Sequence, residues 1–289
     1  MPHQLHQNTR FLDKSFNEQN TRDYVMSAML DMHGFVLSVY DSAKNKIIGL
    51  VEEHFEELEN EAEINTQLDI LLNKIPWLGF PFLQASLVYR TPVSTLVPLP
   101  LFDKNNAALY LEFNHAFPKE NRILFENVKH NDAVNIYSLP NAVVEKVKIS
   151  WPNVLLKHVS SCLIEQLHVL VKNKSDNNSL FVNVAENSFD LVYFKHSKLH
   201  FINQFAFHTK EDFIYFLLTA IEQLQLNPES VELMLSGKID KSDALYEIIY
   251  RYIRKVSFLG RNDNFSYSYV LDEVKPHKHF ILFNSLQCE

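Results

Sequence analysis

The chain has 289 residues, of which 46% are hydrophobic and 21% are charged, so it can bury the core of one large domain or of two ordinary ones. Its 27 Lys and Arg against 35 Asp and Glu give a net charge of −8, which argues against nucleic-acid binding because that binding depends on phosphate neutralisation. Two cysteines, a polar N-terminus and the lack of an apolar run of about 20 residues predict a reduced, cytoplasmic protein without a transmembrane segment.

The first half of the sequence predicts a meander followed by a helix. Residues 1–22 are polar and predict an N-terminal arm. Alternation of apolar and polar residues then predicts three strands, Tyr24–Leu30, "GFVLSVYD" and "KIIGLVEEHF", with a turn at Ser42–Asn45. "EAEINTQLDILLNKIP" predicts a helix that Pro76 ends. The strand "FLQASLVYR" and a short helix around "VPLPLFDKN" complete the unit.

The middle of the chain predicts an insertion and a connecting helix. Strand-like segments near 107–138 form the insertion. A long amphipathic helix follows, and the polar tract "KNKSDNNS" at 172–179 predicts the boundary between the halves. The apolar face of this helix is Leu156, Val159, Leu163, Leu167 and Leu170, and its polar face is Lys157, Ser161, Glu165, His168 and Lys172.

The second half repeats the order of the first. "SLFVNVA", "SFDLVYFK" and "KLHFINQFAF" predict three strands, with a tight turn at His196-Ser197 between the last two. "TKEDFIYFLLTAIEQLQL" predicts a helix, with Thr209 and Asp212 at capping-box spacing. The strand "VELML" and the helix "SDALYEIIYRYIR" complete the second unit.

Alignment of the two halves predicts a duplicated fold. Phe35 aligns with Phe189 at an offset of 154 residues, and the first copy has the longer hairpin turn. The fold class is therefore mixed α/β, with two β-β-β-α-β-α domains at 23–173 and 174–289. This order resembles the actin-like ATPases, in which two such ribonuclease H-like domains flank a nucleotide cleft.

Longer segments carry a closer resemblance. They are "DMHGFVLSVYDSAKNKIIGL", "TLVPLPLFD", "INQFAFHTKEDFIYFLLTAIEQLQLNPESVELMLSGKI" and "FNSLQCE". Together they resemble a bacterial family of unknown function described as having an actin-like ATPase fold. The resemblance runs from about residue 22 to the C-terminus and implies a fold but no established activity.

The resemblance places the candidate site at three turns, and each departs from the ATPase pattern. The first hairpin has Asp31 and Gly34, but two residues separate them and an aromatic residue follows. We interpret Asp31 as a turn residue and Gly34 as a glycine with positive φ. The second hairpin has Asn187 and Asp190 but no glycine, so few backbone amides remain to hold phosphate.

The third turn, "MLSGKID", corresponds to the adenosine contact of the fold. It keeps Ser236 and Gly237, but Lys238 replaces the second glycine, and its side chain would crowd a base or ribose. The whole chain has only five glycines and no GxGxxG or GxxxxGK[ST] motif, which excludes Rossmann and P-loop sites.

Other chemistry-bearing groups are interpreted as structural. His277, His279 and Cys288 are too few and poorly spaced for a metal site, and Cys162 lies on an apolar helix face. The basic segment "RYIRKVSFLGR" is interpreted as a solvated helix face rather than an anion site.

Two functions stay open on these grounds. The favoured one is a non-catalytic, pseudo-ATPase protein-interaction or scaffolding module, without a cofactor and with a protein partner of unknown identity. The alternative is a divergent nucleotide- or metabolite-binding enzyme that uses the interdomain cleft, in which Asp31, Asn187, Asp190 and Lys238 face the ligand and ATP with Mg²⁺ remains an open cofactor. The sequence leaves the oligomeric state undecided.

Overall fold

The computed structural model describes residues 8–56, 58–172 and 178–287, which form two compact units. The first unit comprises residues 8–162, 262–273 and 281–287, and the second comprises 163–261 and 274–280. This division differs from the predicted ranges 23–173 and 174–289, because the end of the chain returns to the first unit. Residues 1–7, Cys288 and most of the predicted boundary tract 172–179 lie outside the described residues.

Before its C-terminal part, the described residues of the first unit form nine strands and three helices. The strands are β1 Thr9–Leu12, β2 Tyr24–Asp31, β3 Gly34–Asp41, β4 Lys46–His54, β5 Gln84–Tyr89, β6 Ser94–Pro98, β7 Arg122–Val128, β8 Ala133–Leu139 and β9 Leu155–His158; the helices are α1 Ile64–Lys74, α2 Ala107–Glu112 and α3 Asn141–Ser150. The meander and α1 lie where the sequence predicts them. The N-terminal arm is partly structured instead, because β1 pairs with β4.

The described residues of the second unit form five strands and three helices. The helices are α4 Val159–Val171, within which the unit begins, α5 Lys210–Gln223 and α6 Ala244–Tyr252; the strands are β10 Ser179–Val184, β11 Ser188–Lys195, β12 Lys198–Ala206, β13 Glu232–Gly237 and β14 Lys255–Phe258. The predicted capping box is present, since Thr209 Oγ1 accepts from the Asp212 N–H at 3.1 Å. After β14 the chain adds β15 Ser266–Tyr267 and α7 Phe280–Asn284.

The two main sheets share one strand order. In the first unit the order is β1-β4-β3-β2-β5-β9, with β15 paired to β4, and in the second it is β12-β11-β10-β13-β14. Each sheet has an antiparallel meander followed by parallel strands, which is the duplicated arrangement predicted from the sequence. Phe35 and Phe189 occupy the same position in β3 and β11, and both are fully buried.

Several predicted elements differ from the structure. "VPLPLFDKN" is the end of β6 followed by two single 3₁₀ turns, because its two prolines, Pro98 and Pro100, prevent a regular helix. The long helix begins at Val159 rather than Leu156, and its predicted polar face is partly buried at Ser161 and Glu165. α6 ends at Tyr252, so Lys255 of the basic segment lies in β14 and not on a helix face.

The insertion is a small sheet of β6, β8 and β7 with α2 on one face. Its core contains Leu111 of α2 against Val134 and Ile136 of β8. The opposite face joins the main body of the first unit, since the Tyr137 hydroxyl donates to the Leu156 carbonyl at 3.3 Å.

The C-terminal part completes the first unit on the face opposite α1 and α3. The Ser27 hydroxyl of β2 donates to the Leu282 carbonyl at 3.3 Å and also contacts the Ser285 hydroxyl. Ser38 and Ser86 lie beside Ser27 on the neighbouring strands and are also buried. These small side chains leave room for a helix to approach the sheet closely.

A buried carboxylate joins the two ends of the first unit. The Asp13 carboxylate accepts hydrogen bonds from the Ser268 hydroxyl at 2.5 Å, the Ser15 N–H at 2.8 Å and the Lys46 ammonium at 3.0 Å. The bond from Ser268, followed by that from the Ser15 backbone, holds the pKa of Asp13 far below its ordinary value.

Candidate functional site

The first hairpin uses its predicted site residues to form its own turn. The Asp31 carboxylate accepts from the N–H groups of His33 at 2.7 Å and Gly34 at 3.0 Å. Gly34 does not have positive φ, so that interpretation was wrong. A glycine is favoured there by the neighbouring strand, because a Cβ would lie 2.6 Å from the carbonyl oxygen of Glu53.

The second hairpin places its two predicted residues apart. Asn187 is exposed in the turn between β10 and β11, where its carbonyl accepts from the Phe207 N–H at 3.0 Å. Asp190 lies within β11 and is buried, with 1% of its surface exposed. Only Asn187 is therefore presented at the turn itself.

Three buried polar side chains form one row across the second sheet. Asn183 on β10 lies directly between Asp190 on β11 and Ser236 on β13. The Asn183 amide donates to the Asp190 carboxylate at 2.9 Å, and its oxygen accepts from the Ser236 hydroxyl at 3.0 Å. Because buried polar groups are costly unless they are paired, this row is a connected network that holds three strands together.

Gly237 directly follows Ser236, at a point where the backbone of β13 comes very close to β10. Its φ is +85°, and a Cβ at this position would lie 2.1 Å from the Val184 carbonyl oxygen. The Gly237 N–H donates to the His277 carbonyl at 3.0 Å. Both the conformation and the contact require glycine here, without any reference to a ligand.

Lys238 points its charge at another side chain of the same unit. The Lys238 ammonium forms an ion pair with the Glu186 carboxylate at 2.9 Å, and the Lys238 backbone N–H donates to the Val184 carbonyl at 2.8 Å. Glu186 lies in the turn between β10 and β11 and was not among the predicted site residues. The ion pair therefore links the second hairpin to the end of β13.

A second charged group lies just after this strand end. The Asp240 carboxylate forms ion pairs with Lys275 at 2.6 Å and Lys278 at 3.5 Å. His277 is buried, its Nε2 lies 2.7 Å from the Ile239 carbonyl, and its ring is 4.3 Å from that of Phe258. Burial is the main reason that the pKa of His277 is lowered below its ordinary value of 6.5.

The structure thus brings some predicted residues together and leaves others apart. Asp31 and Gly34 lie in the first unit, and the other five lie in the second. Asp190 and Ser236 are joined through Asn183, which was not among the predicted site residues. The signal was available, because a two-residue turn at 186–187 sets Asn183 opposite Asp190, and an amide inside an apolar strand needs a partner.

The polar groups at these turns do not form a metal-binding cluster. Among the described residues, no group of three or more His, Cys, Asp or Glu side chains is placed to hold a metal ion. A cavity of about 620 Å³ lies in the insertion, against Ala108, Phe113 and Phe117, and none of the predicted site residues lines it. Within the described part of the chain, every helix is too short or too polar to span a bilayer.

Comparison with known proteins identifies the fold and the family. A family model described as "Protein of unknown function (DUF3822)" matches residues 13–256. A crystal structure from Bacteroides thetaiotaomicron VPI-5482, described as a protein with actin-like ATPase fold and unknown function, has 21% sequence identity and a TM-score of 0.81, with 95% of this chain and 99% of that chain covered. No curated protein matches the sequence.

A second solved structure has the same architecture at lower similarity. It is a chain of a PilM-PilN type IV pilus biogenesis complex, with 12% identity and a TM-score of 0.62 over 92% of this chain and 98% of that chain. Identities this low establish the fold alone. The predicted actin-like ATPase fold and the resemblance to a family of unknown function are both confirmed.

Proposed function

The chain belongs to the DUF3822 family of proteins of unknown function, and on this premise we propose that it is a non-catalytic, actin-like protein-interaction module. In this proposal the module is a pseudo-ATPase that acts in the cytoplasm and binds another protein. The fold supplies the scaffold, and the turns that hold phosphate in active members of the superfamily serve to stabilise the chain.

One observation carries the proposal: the polar groups at these turns already bind other groups of the same unit. Asp31 accepts from the backbone of its own hairpin. The Lys238 ammonium is paired with Glu186. Asp190 and Ser236 are buried and bonded to Asn183. A triphosphate with its metal needs several convergent amides or carboxylates, and these groups would have to break existing contacts to supply them.

Two further facts support an interaction role with a protein. The net charge of −8 disfavours a polyanionic partner such as nucleic acid. A structure with this fold, the PilM-PilN complex, is a protein assembly, which makes assembly a use of the fold that we carry over to this chain as part of the proposal.

Thermal unfolding with and without millimolar Mg-ATP and Mg-ADP tests the proposal. A ligand at 100 times its dissociation constant adds about 2.7 kcal/mol of stability. Each kcal/mol moves the unfolding midpoint by about 2–4 °C for domains of 150–250 residues. We expect no shift with either nucleotide and no phosphate release in a hydrolysis assay.

A clear shift would overturn the proposal and favour the divergent nucleotide-binding enzyme. Asp31→Asn is then the matched control, because an amide oxygen can still accept the two N–H groups of the turn while the negative charge is lost. Loss of the shift in this variant would assign the binding to the Asp31 charge. A shift that survives would place the ligand elsewhere.

A further inference from the structure

The strands at the ends of the three sheets differ in how well they are protected. An edge strand presents unpaired backbone groups, and proteins protect such edges with short strands, prolines, charges or bulges. The edges are β1, β9, β14, β6, β12 and β7, and the two-residue β15 lies beside β4 off the main order of its sheet. The first three have only four residues each, and β6 has five and ends at Pro98.

β12 is the longest edge strand, and it carries two protecting features. A register shift opposite Tyr193 and Phe194 leaves His200 as an extra residue, which bends the strand. The Asn203 side-chain oxygen accepts from the Gln204 N–H at 3.0 Å, so a side chain covers part of the edge. These features disfavour pairing with another strand.

β7 has seven residues and neither protecting feature. Two hydrogen bonds at the ends of its neighbour β8 show which residues of β8 face β6. The Ser138 N–H donates to the Val93 carbonyl, and the Asp132 carbonyl accepts from the Leu99 N–H. Because Val93 and Leu99 flank β6, the backbone groups of the even-numbered residues of β8 point toward β6. The odd-numbered residues of β8 therefore bond toward β7, where their partners are Arg122, Leu124, Glu126 and Val128. The N–H and carbonyl groups of the intervening residues, Ile123, Phe125 and Asn127, point to the other side of β7, where no strand of the described residues pairs.

An apolar surface continues from this edge onto the rest of the insertion. Phe125 is 47% exposed, and its ring lies 5.1 Å from that of Phe102, which in turn lies 6.2 Å from Tyr110. Leu101 is 68% exposed next to the same group, since its carbonyl accepts from the Tyr110 hydroxyl at 2.7 Å. A contiguous exposed apolar surface beside an open edge is typical of an interaction site.

We propose that β7 pairs antiparallel with β7 of a second copy, about a two-fold axis at Phe125. The strand is complementary to itself in this register. Phe125 faces its own copy as a hydrogen-bonded pair, and Ile123 faces Asn127 on both sides. No like charges face each other, and two aromatic rings meet on the apolar side, which is a favourable cross-strand pair.

This inference deepens the proposed function by naming one partner, the chain itself. It follows from the register of the β7 edge and does not depend on the nucleotide turns. A nucleotide-induced thermal shift would thus overturn the proposed function and leave the β7 pairing standing. A failure of the pairing would overturn this inference and leave the prediction of no nucleotide-induced shift to its own test.

A cysteine placed at the axis tests the pairing and its register. In a hydrogen-bonded antiparallel pair the Cα atoms are about 5.5 Å apart, which a disulfide can bridge. We expect Phe125→Cys to form a covalent dimer on mild oxidation of the full chain. Asn127→Cys is the matched control, because its copy lies four residues further along the strand, about 13 Å away, and should not cross-link.

The wild-type chain gives the background for this experiment, since it already contains Cys162 and Cys288. Efficient cross-linking of Phe125→Cys alone supports the proposal. Equal cross-linking of both variants, or none above the background with Phe125→Cys, overturns the proposed register.

Sedimentation of the full chain at several concentrations gives a second test. We expect a monomer–dimer equilibrium that Phe125→Lys weakens by at least about tenfold, because two like charges would then face each other. Ile149→Lys, at an exposed aliphatic residue of α3, should leave the equilibrium unchanged. A wild-type monomer at every concentration overturns the proposal and points to a strand from another protein, and equal weakening by both variants overturns it as well.

Discussion

The two units place polar side chains in opposite rows of the same sheet face. In the second unit the row nearest the strand ends is polar, and the row two residues further back is apolar. In the first unit this order is reversed. The equivalent rows are Asn183, Asp190 and Ser236 against Met29, Val36 and Val88, and Phe181, Val192 and Met234 against Ser27, Ser38 and Ser86.

The difference follows from what covers each row. In the first unit the serine row contacts the C-terminal part, which needs small residues and a few hydrogen bonds to approach the sheet. In the second unit the apolar row contains Phe181, packed on Phe194, whose ring lies 6.1 Å from His168 of α4. One backbone arrangement therefore accepts two different side-chain patterns, and the covering segment decides between them.

Gly237→Ala should have the largest effect on this comparison. The equivalent position in the first unit, at the end of β5, is Tyr89 with ordinary φ, so only the second unit needs glycine here. Positive φ and a Cβ 2.1 Å from the Val184 carbonyl should lower the free energy of unfolding by about 3 kcal/mol or more. The urea midpoint measures this loss.

Gly260→Ala is the control in the same unit, because a Cβ there meets no atom within 4 Å. Its free energy of unfolding should change by less than about 1 kcal/mol. Equal midpoints for the two variants would contradict the close approach of β13 to β10.

Breaking the polar row should lower the free energy of unfolding less than Gly237→Ala does. It should lower it more than replacing all three polar side chains together. Asn183→Ala removes one hydrogen bond of Asp190 and one of Ser236 and should destabilise the protein by about 2–3 kcal/mol. The triple variant Asn183→Met, Asp190→Val and Ser236→Val copies the apolar row of the first unit. It should lower the free energy of unfolding less than the single change, because no buried polar group remains that has lost its hydrogen bond to Asn183.

Chemical denaturation of the single and triple variants measures this coupling. The effects of the substitutions on the free energy of unfolding should be strongly non-additive, so that the triple variant is more stable than Asn183→Ala. A triple variant that is the least stable of the series would show that the second unit needs polarity at this row.

The smallest effects concern pH, and they should separate the two units. His277 has a lowered pKa in the folded chain, so the unfolded chain binds its proton first and stability falls as the pH drops below 6.5. Asp13 also has a lowered pKa, so its contribution is present above its ordinary pKa of 3.8 and is lost below it. The second unit should therefore weaken at higher pH than the first.

Urea unfolding across the pH range checks both windows. His277→Gln should flatten the dependence just below pH 6.5, and Asp13→Asn should flatten it below pH 3.8. A dependence that either variant leaves unchanged would show that another group titrates there.

The sequence predicts the hairpins well because alternation and short turns determine register locally. Phe35 and Phe189 were placed correctly for this reason. Strands β9 and β14 were missed, since four residues show no periodicity. The return of residues 262–273 and 281–287 to the first unit was also missed, because a contact such as Ser27 with Leu282 spans 255 residues and leaves no local pattern.

The sequence predicted which turns carry the candidate residues but not which side chains contact one another there. Asp31, Asp190 and Gly237 were identified from their turns, whereas Asn183 and Glu186 needed the register and the fold. The ion pair of Lys238 with Glu186 joins residues 52 apart in sequence, and only the parallel pairing of β10 with β13 brings their strand ends together.

The late return of the chain to the first sheet has a consequence for biosynthesis. The serine row of β2, β3 and β5 is translated within the first third of the chain, but the segment that covers it comes only after the whole second unit has been made. During synthesis the serine row therefore lacks this cover until residues 281–287 have been made.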